Sequence, residues 1–147
     1  MPTYLCYAAA ERLSQQQRAQ VAEAITAAHS EEMAAPRYLA QVIFQDLGPG
    51  RVFIGGQPAP ERQIWVHGEV RSGRTPGQRQ ALVARLAREL ARIAQVPADD
   101  VWVYLNELCP LDMVEFGHVL PPSGGEEQWL QALPQPLRAR LARLQAR

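Results

Sequence analysis

At 147 residues with 47% apolar side chains, the chain is long enough to bury a core and has the size of one compact domain. Fifteen acidic residues balance fifteen basic ones, so its charge argues against a polyanion-binding surface, and no nucleic-acid partner is expected. No apolar run reaches the ~18 residues of a membrane span, and Met1 to Tyr7 lack the basic flank and apolar centre of a secretory signal, so the expectation is a cytoplasmic protein with no membrane partner.

In chain order, β-branched or aromatic bias predicts strands at Thr3–Tyr7, Leu39–Phe44, Ile64–Val70 and Val101–Leu105. Two helices lie between them, each opened by a capping-box signature: Ser14 with Gln17, and Thr75 with Gln78, the latter followed by Pro76 at the first helical position. Val21, Ile25, Ala28 and Met33 give the first helix an apolar stripe, and Leu82, Leu86, Leu90 and Ile93 give the second a clearer one.

The two halves are related. Sliding the sequence by 61 residues superposes Gln17-Arg18 on Gln78-Arg79, Pro36 on Pro97, Val42 on Val103 and Leu47 on Leu108 without a gap. The predicted fold is therefore α/β in the α+β sense, a tandem βαβ repeat in one four-stranded mixed sheet with two helices on one face. The halves span about 2–60 and 61–117 of a single domain, followed by a tail at 118–147. Gly48 to Pro60 brackets the apolar Val52-Phe53-Ile54 with glycines and prolines and reads as a short hairpin. The tail, with Trp129, Leu130, Leu137, Leu141 and Leu144, is expected to pack on a neighbour or cap an edge.

Several residues carry possible chemistry. Excision of Met1 before a small residue leaves Pro2 with a free secondary amine, whose unperturbed pKa of about 7.7 to 8.0 allows it to accept or donate a proton. All basic residues are arginines, which removes Schiff-base and phosphate-loop lysines; a cationic clamp must be arginine, and Arg71-Ser72-Gly73-Arg74 places two beside a glycine turn. His29 sits late on the first helix, Tyr104 on the last core strand, and Glu115 is an acid among apolar neighbours in Met113-Val114-Glu115-Phe116-Gly117. Read singly, each has an ordinary structural explanation: a strand-leading proline, solvated loop arginines, a packed histidine or aromatic. Cys6 and Cys109 read as small hydrophobes rather than a disulfide framework. His29, His67 and His118 are too scattered for a metal site, no dinucleotide fingerprint or nucleophile elbow occurs, and neither metal nor organic cofactor is expected.

Taken together, Pro2, the 61-residue duplication, His29, Arg71, Arg74, Tyr104 and Glu115 resemble the tautomerase superfamily, specifically its cis-3-chloroacrylic acid dehalogenase group. Leu39-Ala40-Gln41-Val42, Phe53-Ile54-Gly55-Gly56, Val66-His67-Gly68 and Trp102-Val103-Tyr104 extend the likeness along most of the chain. The resemblance implies a homotrimer and a role for each residue: Pro2 as general acid, Arg71 and Arg74 on the substrate carboxylate, and His29, Tyr104 and Glu115 binding and activating water. The implied reaction hydrates a short unsaturated carboxylate such as cis-3-chloroacrylate, giving malonate semialdehyde after loss of halide. The segment Ser30–Tyr38 and the arginine-rich stretch after Gln135 depart from that pattern and bear on substrate choice. Two other readings stay open: a keto–enol tautomerase of phenylpyruvate-like 2-keto acids with Pro2 as base, and a non-catalytic binding protein on the same fold.

Overall fold

In the computed structural model, which describes residues 2–146, every second side chain of β1 (Thr3–Ala9) turns inward, so that Tyr4, Cys6 and Ala8 are buried. The expected removal of Met1 lies outside the described residues. β5 (Ile64–Arg71) alternates in the same way and pairs antiparallel with β1. β2 (Gln41–Leu47) runs parallel to β1, and β6 (Val101–Leu108) parallel to β5, giving a mixed sheet in the order β2-β1-β5-β6. This is the predicted architecture.

Helices α1 (Gln15–Glu32) and α2 (Pro76–Ala94) cover the inward face. Both capping boxes form, with the Gln17 N–H donating to Ser14 Oγ and the Gln78 N–H to Thr75 Oγ1, each at 3.2 Å. Leu82, Leu86 and Leu90 are fully buried, each stabilising the fold by roughly 1.5–3 kcal/mol. Besides the β1–β5 ladder, side chains tie the halves: the Arg12 guanidinium donates to the Ala94 carbonyl at 2.7 Å, the Gln17 amide to that of Ile93 at 3.0 Å, and Arg85 to Glu31 at 2.6 Å. No helix among the described residues is long and apolar enough to cross a membrane.

The strands differ from expectation at their ends. β2 begins at Gln41 rather than Leu39, because the chain after Pro36 closes into a 3₁₀ turn at Arg37–Leu39, with the Leu39 N–H donating to the Pro36 carbonyl at 3.1 Å. That turn buries Tyr38 and Leu39 against the C-terminal segment instead of the sheet. β1, β5 and β6 each continue past the predicted end, in the last case to Leu108. The predicted hairpin is present as β3 (Phe53–Ile54) and β4 (Gln57–Pro58), turning through Gly55 and Gly56 at positive φ. A second hairpin, β7 (Val114–Glu115) and β8 (His118–Val119), leads into α3 (Glu126–Ala132) and α4 (Gln135–Gln145). Leu133 and Leu141 bury with Tyr38 and Leu39, so the tail docks on its own chain.

The Tyr4 ring owes its place in the core to Gly68. This glycine lies between Tyr4 and Leu105 in the sheet register, and an added Cβ would stand 2.6 Å from Tyr4 Cε1 and 2.8 Å from Leu105 Cδ2. Gly68→Ala is expected to destabilise the fold by about 1–3 kcal/mol through overpacking, seen as a lower Tm; an unchanged Tm would show that the ring has somewhere else to go.

Candidate active site

The antiparallel register sets the start of β1 against the end of β5: Thr3 faces Glu69, and continuing that register sets Pro2 beside Val70, one residue before Arg71. Pro2 is buried, and its carbonyl accepts the Gln41 N–H at 2.9 Å, which holds the chain start in the sheet. Tyr4, two residues on and on the same face, reaches into α1, where its Oη lies 2.7 Å from His29 Nδ1.

Both members of that pair are buried, and burial acts on them in opposite directions. It pushes the Tyr4 phenol up, and it pushes His29 down to about 3, with the positive charges of Arg74 and Arg71 adding to the depression. His29 is therefore a neutral imidazole at neutral pH. A neutral ring carries one proton, and the nitrogen that bears it sets whether Tyr4 or His29 donates in their hydrogen bond.

Arg71 ends β5 and is 5% exposed. Gly73, at φ +102, turns the following loop so that Arg74 comes back beside it. Both Nη2 atoms bond one oxygen, Oε1 of Glu126 at the start of α3, Arg74 at 3.3 Å and Arg71 in a shorter contact. The Nη1 atoms take the same segment: Arg71 donates to the Pro121 carbonyl at 2.8 Å and Arg74 to Ser123 Oγ. Burial would raise the Glu126 carboxyl, but its own backbone N–H, the Arg71 hydrogen bond and the two guanidinium charges hold it below its ordinary value. Tyr38 lies within the same field, its phenol raised by burial and then by the Glu126 charge.

Pro2, His29, Arg71 and Arg74 thus share one end of the sheet on its helix-covered side. Glu115 is on β7, half-buried, in the hairpin that Leu120 and Pro121 connect to the arginines. Tyr104 is on the opposite face of the sheet, 52% exposed. There it belongs to an aromatic patch: Trp65 stacks on Tyr7 at 4.8 Å between centroids, Tyr104 meets Trp65 edge-on at 5.8 Å, and Trp102 stacks with Tyr104 at 6.5 Å. Within one chain it does not join the other candidates.

Four residues at this end were not singled out from sequence. Tyr4 had a signal, since strand alternation buries it with Cys6, and a buried phenol needs a partner. Pro121, Ser123 and Glu126 had none: they lie about fifty residues from the arginines, and Glu126 is indistinguishable by type from the exposed Glu127 beside it. A separate cavity of about 300 Å³ lies at the far end of β1, lined among others by Tyr7, Ala8, Ala10, Leu47, Gln63 and Trp65.

A family profile described as "Putative oxalocrotonate tautomerase enzyme" matches residues 1–132. The chain belongs to the tautomerase superfamily. A crystal structure of N1, a member of the cis-3-chloroacrylic acid dehalogenase family, is 41% identical over 95% of this chain and 98% of its own, with a TM-score of 0.93. A structure of native Ps01740 is 29% identical over 77% of this chain and 99% of its own, with a TM-score of 0.73. A fused 4-OT, solved as an asymmetric trimer, is 20% identical over 80% of this chain and 94% of its own, also with a TM-score of 0.73, and shares the fold. No curated protein matches the chain. Superfamily membership agrees with the observed tandem βαβ sheet.

Proposed function

We propose that this chain is a cofactor-independent hydratase of short unsaturated carboxylates, of which cis-3-chloroacrylate is the test case. The observation that carries the reading is the convergence of Arg71 and Arg74 on a single carboxylate oxygen beside the buried start of β1. A conjugated carboxylate held there loses electron density from its alkene, and the β-carbon becomes electrophilic. Water attacks that carbon, Glu115 takes its proton, and protonated Pro2 delivers a proton to the α-carbon. Where the β-carbon bears halide, the resulting halohydrin expels it and collapses to malonate semialdehyde. Neutral His29, hydrogen-bonded to Tyr4, carries no charge of its own at the site.

Tyr104 enters this scheme from a neighbouring copy in a homotrimer. The open sheet face that bears it also exposes Ile43 and Trp102, with Phe53 and Ile54 exposed on the hairpin, an apolar surface suited to association. Trp65 on that face buries an indole N–H that meets no acceptor among the described residues, which a second copy would supply.

The family profile favours a second reading, keto–enol tautomerisation with Pro2 as base. Its protonation state separates the two: Arg71 and Arg74 favour the neutral amine, whereas Glu126 and a bound carboxylate favour the ammonium. The experiment follows halide release and aldehyde formation from cis-3-chloroacrylate at neutral pH, using protein whose intact mass shows Met1 removed. Turnover of the haloacid supports the hydratase. Rapid phenylpyruvate ketonisation without halide release overturns it in favour of the tautomerase, and inactivity toward both favours a binding protein.

A further inference from the structure

We propose that Glu126 is the resident anion of the Arg71–Arg74 pair, a substrate-mimicking carboxylate that an incoming carboxylate displaces, so that this one side chain sets how tightly the enzyme holds its substrate. The proposal rests on the reading of the arginine pair as a carboxylate clamp.

Four observations carry it. Glu126 brings to the arginines the same functional group that a carboxylic acid substrate would bring, and both guanidiniums meet at one of its oxygens. Both terminal nitrogens of each arginine already hold a contact to the 121–126 segment, so a bidentate approach by another carboxylate replaces bonds that exist. Glu126 is 8% exposed and Arg71 5%, so each depends on the other for charge compensation, and either needs a replacement when the pair opens. Finally, the segment is held on both sides while its middle is a turn: Leu120 is 1% exposed, and the Trp129 indole donates to the Val119 carbonyl at 2.9 Å. Between these anchors Gly124 adopts φ +89, and Gly125 packs so closely that a Cβ would stand 3.2 Å from Pro121 Cβ and from the Pro122 carbonyl oxygen.

The exchange has a definite chemistry. One carboxylate leaves and one arrives, the net charge around the arginines is unchanged, and neither guanidinium is stranded without a counter-ion. The free energy of the Glu126 contacts is subtracted from that of substrate binding, as with any competing state of a receptor. A substrate whose carboxylate reaches both arginines gains by the exchange, and a neutral analogue does not, so the resident anion discriminates against uncharged ligands.

The test measures binding of propanoate, an unreactive saturated three-carbon carboxylate, by calorimetry at pH 7 to the full chain, Glu126→Gln and Arg74→Ala. Displacement predicts that Glu126→Gln binds propanoate about tenfold more tightly than wild type and has a lower Tm without ligand that propanoate restores. Equal or weaker binding by Glu126→Gln overturns the proposal and makes Glu126 a bracket that positions the arginines. Should the glutamine prevent folding, Ser123→Ala, which frees one nitrogen of Arg74 and leaves the Glu126 pair intact, is expected to tighten binding by about threefold, and unchanged binding there is equally decisive against it. Propanoate binding that is tightened by Glu126→Gln and lost in Arg74→Ala sustains the proposal even if no haloacid is turned over. No binding by any variant removes the clamp reading and this proposal with it.

Discussion

Pro2→Ala is expected to lower kcat toward cis-3-chloroacrylate by at least about 10²-fold, with the fold and assembly retained. The substitution leaves a free α-amino group of similar intrinsic basicity, so the loss is one of placement. Pro2 is buried at the head of β1 with its carbonyl tied to the Gln41 N–H, and its ring fixes the direction of the nitrogen relative to that anchor. An alanine amine rotates freely about the same anchor. Retention of Met1 has a larger effect for a different reason, because it converts the nitrogen to an amide with no basicity at all. Steady-state kinetics on Pro2→Ala and on Met1-retaining protein, with circular dichroism and sizing as controls, checks both. Wild-type rates in either remove the amine from the mechanism.

Arg74→Ala is expected to reduce kcat/KM by roughly 10- to 100-fold, the loss of a charge-assisted hydrogen bond to the substrate carboxylate. Substrate binding and turnover fall together, since the same contact that holds the carboxylate also polarises the alkene. The choice of Arg74 over Arg71 follows from their surroundings. Arg71 is the more deeply buried of the two and makes the closer contact with Glu126. Removing it leaves a buried carboxylate with only the 3.3 Å contact to Arg74, and opening a buried pair costs up to about 3–5 kcal/mol, which confuses a binding defect with unfolding. Removing Arg74 leaves the Arg71–Glu126 pair in place, so the variant remains folded and its kinetics are interpretable. Saturation kinetics and thermal unfolding on the same preparations check this; an unaltered kcat/KM argues that Arg74 serves the 121–126 segment alone.

The fold was largely legible because its signals are local. Capping boxes at Ser14 and Thr75, period-2 burial in β1 and β5, and the leucine stripe of α2 each depend on residues a few positions apart. The candidate site was legible in part. Pro2, His29, Arg71 and Arg74 do lie at one end of one sheet, and the antiparallel pairing that brings Pro2 to Arg71 follows from the strand order. What the arginines hold was not legible, because their partners are set by how the tail folds back over the 3₁₀ turn at Arg37–Leu39, a matter of tertiary packing with no periodicity to mark it. Tyr104 was recognisable by type, but its side of the sheet follows from register, and a shift of one residue would have put it on the other.

The 61-residue repeat gives the sheet a pseudo-twofold relation, and its two ends are not chemically equal. The positions that correspond to Pro2, Arg71, Arg74 and His29 under this offset are Gln63, Ala10, Leu13 and Leu90. Gln63 follows a peptide bond, so its nitrogen is an amide, and none of the other three carries a charge. The cavity of about 300 Å³ beside Gln63 and Ala10 occupies the counterpart of the arginine end. Under the proposed reading, duplication doubled the scaffold without doubling the chemistry: the amine that Met1 removal would free has only an amide at its counterpart, and the hollow there, whose lining includes Arg51 and Glu61, has no arginine pair.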